Sequence, residues 1–178
     1  MTSPAENTVE CDLLIIGAGP TGLFAAYYAG FRGHRVAIVD SLPELGGQIT
    51  AMYPEKQIFD VAGFPSILGR DLVSALVKQA EPGGPQYLLG CKASTLSDVD
   101  GRFEVGIEGA EPVVAGAILI TAGIGEFTPR PLPAGDGWLD RGMVHFVPKL
   151  NVHTGQDVVV VGGGDSAFDW ALALQPVA

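Results

Sequence analysis

Apolar residues along the chain fall into short runs that glycine and proline interrupt. Residues 11–16 (CDLLII) form a run rich in β-formers, and Gly17 ends it. Such a run fits a parallel strand covered on both faces. Pro20 then suits the first position of a helix, where its missing N–H has no helical acceptor to lose. Residues 21–32 follow as a helix with Leu23, Ala26, Tyr27 and Gly30 at inward positions, closed by Gly33. Residues 35–40 (RVAIVD) predict the next strand. Together these are a β-α-β unit of about thirty residues.

Residues 42–69 are punctuated by glycine and proline and show no sustained period. A loop of that length in a compact domain is usually functional. Residues 70–80 predict an amphipathic helix with Leu72, Val73, Leu76 and Val77 on one side, stopped by PGGP at 82–85. Residues 87–90 predict a strand. Residues 91–114 predict short strands around a turn at Asp100-Gly101, a small β-meander. Residues 117–121 (AILIT) predict another buried strand, and 129–133 a linker-like stretch. Residues 157–161 predict a last strand and 165–174 a last helix. Residues 1–9 are polar and expected to fray. No repeat of solenoid period is present.

Composition narrows the class. The 178 residues suffice for one ordinary domain and its core, not for two complete ones. Acids outnumber bases 20 to 10, a net charge of −10, which argues against nucleic acid and against an anionic membrane surface as partners. Cys11 and Cys91 make no C-x-x-C pair and no metal-ligand cluster, so they read as reduced thiols and no metal is expected. The N-terminus has no basic region, and its first apolar run is too short for a signal core or a membrane span. The expectation is a soluble, cytoplasmic protein.

Gly17-Ala18-Gly19-Pro20-Thr21-Gly22 is a G-x-G-x-x-G sequence. Alone the pattern is weak. Here it follows a strand, opens a helix and leads to a second strand ending in Asp40, near the expected distance of about 20 residues. Gly17 makes the tight turn, Gly19 lets backbone approach a pyrophosphate, and Gly22 lets helix pack on strand. The helix N-terminus favours the diphosphate charge. Asp40 can accept hydrogen bonds from ribose hydroxyls and disfavours a 2′-phosphate, which points to FAD or NAD. A second motif, Gly162-Gly163-Gly164-Asp165-Ser166-Ala167, reads G-x-G-x-x-A after the apolar residues 158–161. Gly162, Gly164 and Ala167 take the three places, and the residue that would read the ribose falls beyond residue 178. Asp165 repels a nearby phosphate unless it points away. Two such motifs separated by a β-meander imply one flavin and one nicotinamide nucleotide.

The expected fold is α/β: a Rossmann-like FAD-binding domain over residues 10–150, with parallel sheet, helices and small β-meander, and the start of a second Rossmann-like nucleotide-binding domain over 155–178. One strand and one helix are too little for a nucleotide-binding domain. The chain is therefore expected to be an N-terminal fragment, with Trp170 and Leu172 lacking a core to enter.

The sequence resembles the bacterial thioredoxin-reductase-like ferredoxin–NADP⁺ reductases. The resemblance is carried by GAGPTG at 17–22, DSLPELGGQ at 40–48, MYPEKQIFDVAGFP at 52–65, ITAG at 120–123, FTPRPL at 127–132 and GGGDSAFDWAL at 162–172, and it covers nearly the whole chain. It implies a flavoprotein that uses FAD and NADP(H), exchanges electrons with ferredoxin or flavodoxin, and is a homodimer when full length. It places Thr21 by the pyrophosphate, Asp40 on the adenosine ribose, Gln48 and Phe127 near the flavin, Tyr53 by the isoalloxazine ring and the Ala93 backbone at the adenine. No side chain is expected to act as catalytic acid or base. Thioredoxin reductases carry a C-x-x-C dithiol shortly before the second glycine motif, whereas residues 142–156 here contain no cysteine. A dithiol reductase of that type, and a flavin-binding module without turnover, remain the alternative readings.

Overall fold

The computed structural model describes residues 8–125, 127–135 and 137–178. The chain divides into two compact units, residues 1–47 with 72–126, and residues 48–71 with 127–178.

The first unit is built on a six-stranded mixed sheet, order β5-β2-β1-β8-β7-β6. Its parallel part comprises β1 (Val9–Ile16), β2 (Val36–Asp40), β5 (Gln86–Leu89) and β8 (Val113–Ile120). Strands β6 (Lys92–Val99) and β7 (Arg102–Glu108) extend it with antiparallel pairings. Helix α1 (Pro20–Phe31) connects β1 to β2, with Pro20 in its first turn as the sequence predicts. Helix α3 (Gly69–Ala80) leads towards β5. Leu14, Ile15, Leu23, Ile38, Val39 and Val113 are fully buried, so the β-α-β unit supplies most of the largest core side chains. Arg102 fastens the start of the sheet: its guanidinium donates to the Glu10 carboxylate and to the Cys11 and Val114 carbonyls, each at 3.1 Å.

The sequence reading separates a meander ending at 114 from a strand at 117–121, but the structure makes them one strand. Val113–Ala115 of β8 pair with β7 on one side and with β1 on the other. Gly116 interrupts the apolar run for a local reason: a Cβ there would stand 3.0 Å from the Asp12 carbonyl oxygen of β1. Beyond Ala115 the β7 pairing stops, and residues 117–120 pair with β1 alone. The AILIT segment is accordingly not a buried strand; Leu119 is 39 % and Ile120 74 % exposed.

In the second unit, residues 48–71 hold more order than their sequence suggests. They contain a short helix α2 (Gln48–Met52) and an antiparallel pair, β3 (Gln57–Ile58) with β4 (Ile67–Leu68). Helix α4 (Asp165–Leu174) forms as expected. Residues 157–161 form no strand, because a strand needs a partner and none is paired there; Val159 is 86 % exposed. Trp170 corrects a second expectation. It is buried with Val147 and Leu174, and Tyr53, Leu150, Ala173 and Val177 pack around them. The core it was expected to lack combines its own helix, through Ala173 and Leu174, with residues distant in sequence, Tyr53, Val147 and Leu150. Leu172 is 72 % exposed.

Candidate functional site: two glycine turns

The first turn lies where β1 hands over to α1. Gly17 has φ +110°, and its N–H donates to the Val39 carbonyl (2.8 Å), which ties the turn to β2. A Cβ on Gly17 would stand 2.5 Å from the Thr121 carbonyl oxygen. A Cβ on Gly22 would collide with the Gly17 carbonyl and meet Thr121 Oγ1 at 2.9 Å. Both glycines are thus required by protein packing. Gly19 differs, because nothing lies within 4 Å of the position its Cβ would take. Open space over Gly19, at the cap of a twelve-residue helix with no acid in its first turn, is the feature an approaching anion needs.

Asp40 clasps this turn. Its Oδ2 accepts the Ala18 N–H at 2.6 Å and its Oδ1 accepts the Leu42 N–H at 2.8 Å. Each carboxylate oxygen retains a lone pair for a further donor. The Asp40 carbonyl accepts the Cys91 N–H at 3.0 Å, so the backbone of Ala93, two residues on in the same stretch, is brought near the end of β2. Thr21 is exposed at the start of α1.

Sequence reasoning missed two supports of the turn. Thr121 donates its N–H to the Ile16 carbonyl (2.7 Å), and its hydroxyl lies 3.1 and 2.9 Å from the Ile16 and Gly17 carbonyls. Gly46 donates its N–H to the Ala18 carbonyl (2.9 Å), and a Cβ on Gly47 would stand 3.0 Å from Gly19 Cα. Gly46 and Gly47 both have positive φ. The glycine pair before Gln48 and the ITAG segment carried the signal; their contact with the turn is a long-range fact.

The second turn belongs to the other unit. Gly162 has φ +150° and a Cβ there would lie 3.2 Å from Ala167 Cβ, so the two residues pack closely. Gly163 and Gly164 have nothing within 4 Å of their Cβ positions, and Gly164 caps α4. Of the remaining candidates, Gln48 begins α2 and is half-buried, Tyr53 packs beside Trp170, and Phe127 is half-exposed with its ring 6.4 Å from that of Phe146. The structure therefore brings Gly17, Gly19, Thr21, Gly22, Asp40 and Ala93 together in the first unit, while Gln48, Tyr53, Phe127, Gly162, Gly164 and Ala167 lie in the second.

Other charged groups have structural tasks. The Arg35 guanidinium and backbone N–H both donate to Asp12 and hold its carboxyl at about 2. Burial raises the Cys11 thiol. Among the described residues no group of three His, Cys, Asp or Glu side chains could hold a metal ion, and no helix is long and apolar enough to cross a membrane.

A strand, an open glycine turn and a helix in the first unit, and a second open glycine turn ahead of α4, place the chain in the Rossmann-like dinucleotide-binding class. The chain belongs to the pyridine nucleotide-disulphide oxidoreductase family, which matches residues 11–177. It is 71 % identical over 169 residues to a ferredoxin–NADP reductase of Saccharopolyspora erythraea, covering 95 % of this chain and 52 % of that protein. It is 66 % identical over 179 residues to a ferredoxin–NADP reductase of a Nocardioides species, covering 98 % and 54 %. The chain thus spans about half the length of the curated relatives it matches. The fold is that of the thioredoxin reductase of Lactococcus lactis, with a TM-score of 0.74 at 24 % identity over 94 % of this chain and 53 % of that one.

Proposed function

We propose that the whole protein is an FAD-dependent oxidoreductase that moves electrons between NADPH and ferredoxin or flavodoxin. The identity of 71 % to a ferredoxin–NADP reductase carries this reading. The open space over Gly19, and over Gly163 and Gly164, fits a pyrophosphate at each turn. On this reading Gly17, Gly19, Thr21, Gly22, Asp40 and Ala93 hold the adenosine diphosphate part of FAD. The resemblance assigns Gln48, Tyr53 and Phe127 to the flavin. Gly162, Gly164 and Ala167 take the nicotinamide nucleotide. FAD, when bound, supplies a centre that accepts a hydride and passes on single electrons.

The chain's own residues then bind and orient. Asp40 keeps the first turn in shape through Ala18 and offers its remaining lone pairs to ribose hydroxyls. The α1 N-terminus stabilises the diphosphate charge. No side chain has to move a proton. Residues 10–150 serve the flavin and 155–178 open the nicotinamide domain in this reading, and the protein is a cytoplasmic homodimer. The alternative, a dithiol reductase, is disfavoured by the cysteine-free segment 142–156. The test is spectroscopic. The purified whole protein is expected to be yellow, to release FAD and not FMN, and to bleach on addition of NADPH. A flavin that NADPH leaves oxidised would favour a binding module without turnover.

A further inference from the structure

Helix α4 presents a conflict. It carries Asp165 in its first turn and Asp169 one turn later, on the helix whose N-terminal end has to receive an anionic nucleotide. Asp169 lies only about 6 Å further along the axis than Asp165, within a Debye length of a ligand at the helix end. Each carboxylate opposes the attraction that the helix dipole and the open Gly163–Gly164 backbone provide.

Lys56 answers the second of these charges. Its ammonium lies 3.0 Å from Asp169 Oδ2 and 5.2 Å from the centroid of the Trp170 ring. The lysine side chain is 18 % exposed against 56 % for the aspartate, so the cation is drawn in to the carboxylate and the indole face. Its position is fixed from both sides. The Lys56 N–H donates to the Tyr53 carbonyl (3.1 Å), and its carbonyl accepts the Gly69 N–H (3.0 Å) where β4 passes into α3. Trp170 is buried against Val147 and Leu174. A surface ion pair of this kind adds little to stability. Its consequence is electrostatic: one negative charge is cancelled on the helix that must accept an anion.

We propose that Lys56 sets the affinity of the second glycine turn for its nucleotide by neutralising Asp169 on α4. This rests on the reading that Gly162–Ala167 hold the nucleotide pyrophosphate. Lys56 acts through Asp169, so it is a positioning residue for charge and not a ligand contact. Without it, a diphosphate carrying two or more charges binds about three- to tenfold more weakly at low salt.

The experiment is calorimetric titration of the oxidised, FAD-loaded whole protein with NADP⁺ at low and at high salt. Lys56→Gln is expected to raise Kd about three- to tenfold at low salt, with the difference vanishing at about 0.5 M salt, where screening is complete within a few ångströms. Lys56→Gln with Asp169→Asn is expected to return Kd to within about twofold of wild type, because both charges are then absent. Lys56→Arg should keep the wild-type value. A loss caused by disturbed packing would neither respond to salt nor be rescued by Asp169→Asn, and melting curves identify it. Wild-type binding with Lys56→Gln unchanged, or a double variant as weak as Lys56→Gln, overturns the inference alone. A wild-type protein that takes up no NADP⁺ overturns the reading of the second turn and the inference with it.

Discussion

Asp40 and Ala18 are joined by a 2.6 Å hydrogen bond from the Ala18 N–H to Oδ2, across the turn that links β1 to α1. The other oxygen takes the Leu42 N–H, so this carboxylate shapes the turn as well as offering ribose a partner. Asp40→Asn puts an amide donor against one of two backbone donors. An unsatisfied or opposed N–H there costs about 1–3 kcal/mol. The variant is expected to melt several degrees lower and to lose FAD, whereas a residue that only touched ribose would lower affinity and leave the melting point alone. Differential scanning fluorimetry with and without added FAD separates the two.

Gly19 and Gly22 should respond differently to the same methyl group. Gly22→Ala drives Cβ into the Gly17 carbonyl, and backbone must move; the loss should reach several kcal/mol and appear as poor folding. Gly19→Ala meets nothing within 4 Å, so the protein should fold with a near-normal melting point. Its FAD content should fall, because the methyl group occupies the approach to the turn. Normal flavin content in a well-folded Gly19→Leu protein would remove the first turn from the cofactor site.

Acid stability should depend on Asp12. Hydrogen bonds from Arg35 lower its carboxyl from 3.8 to about 2, so folding favours the ionised form. Its contribution is present above the unfolded value and is lost as pH falls through the interval from about 4 to 2. Asp12→Asn should therefore lower the urea midpoint slightly at pH 5 and flatten its decline towards pH 2. The group is exposed, so the difference should shrink with added salt.

Thiol labelling should distinguish the two cysteines. Cys11 is buried in the sheet core and burial raises its thiol, which keeps the reactive thiolate scarce. Cys91 is half-buried. Peptide mapping of native protein labelled at pH 8 should find Cys91 modified within minutes and Cys11 only on unfolding. Rapid reaction at both would mean that β1 opens more readily than its pairing with β2 and β8 implies.

The β1–turn–α1–β2 unit was legible in the sequence because its signals are local: a strand run, three spaced glycines, a proline at the helix start and an acid at the end of the next strand. The clasp by Asp40 was not, since its donors are Ala18 and Leu42 and the pairing is set by how β2 lies beside β1. Thr121 was hidden for the same reason. Residues 115–116 fell between two expected strands, whereas Gly116 is a point of close backbone approach inside one strand. Residues 157–161 read as a strand because their side chains favour one, but pattern alone supplies no hydrogen-bonding partner. Trp170 found a core in Tyr53 and Val147, residues that no local window around it contains.

The activity proposed for the whole protein delivers electrons to a one-electron carrier and not to a disulfide. The most direct measurement is the initial rate of NADPH oxidation by the FAD-loaded whole protein with ferredoxin, and in parallel with oxidised thioredoxin, at equal acceptor concentration. The account predicts steady turnover with ferredoxin and a rate with thioredoxin at the no-acceptor background, because residues 142–156 provide no dithiol to relay the electrons. Thioredoxin reduction at a rate comparable to that with ferredoxin would contradict it.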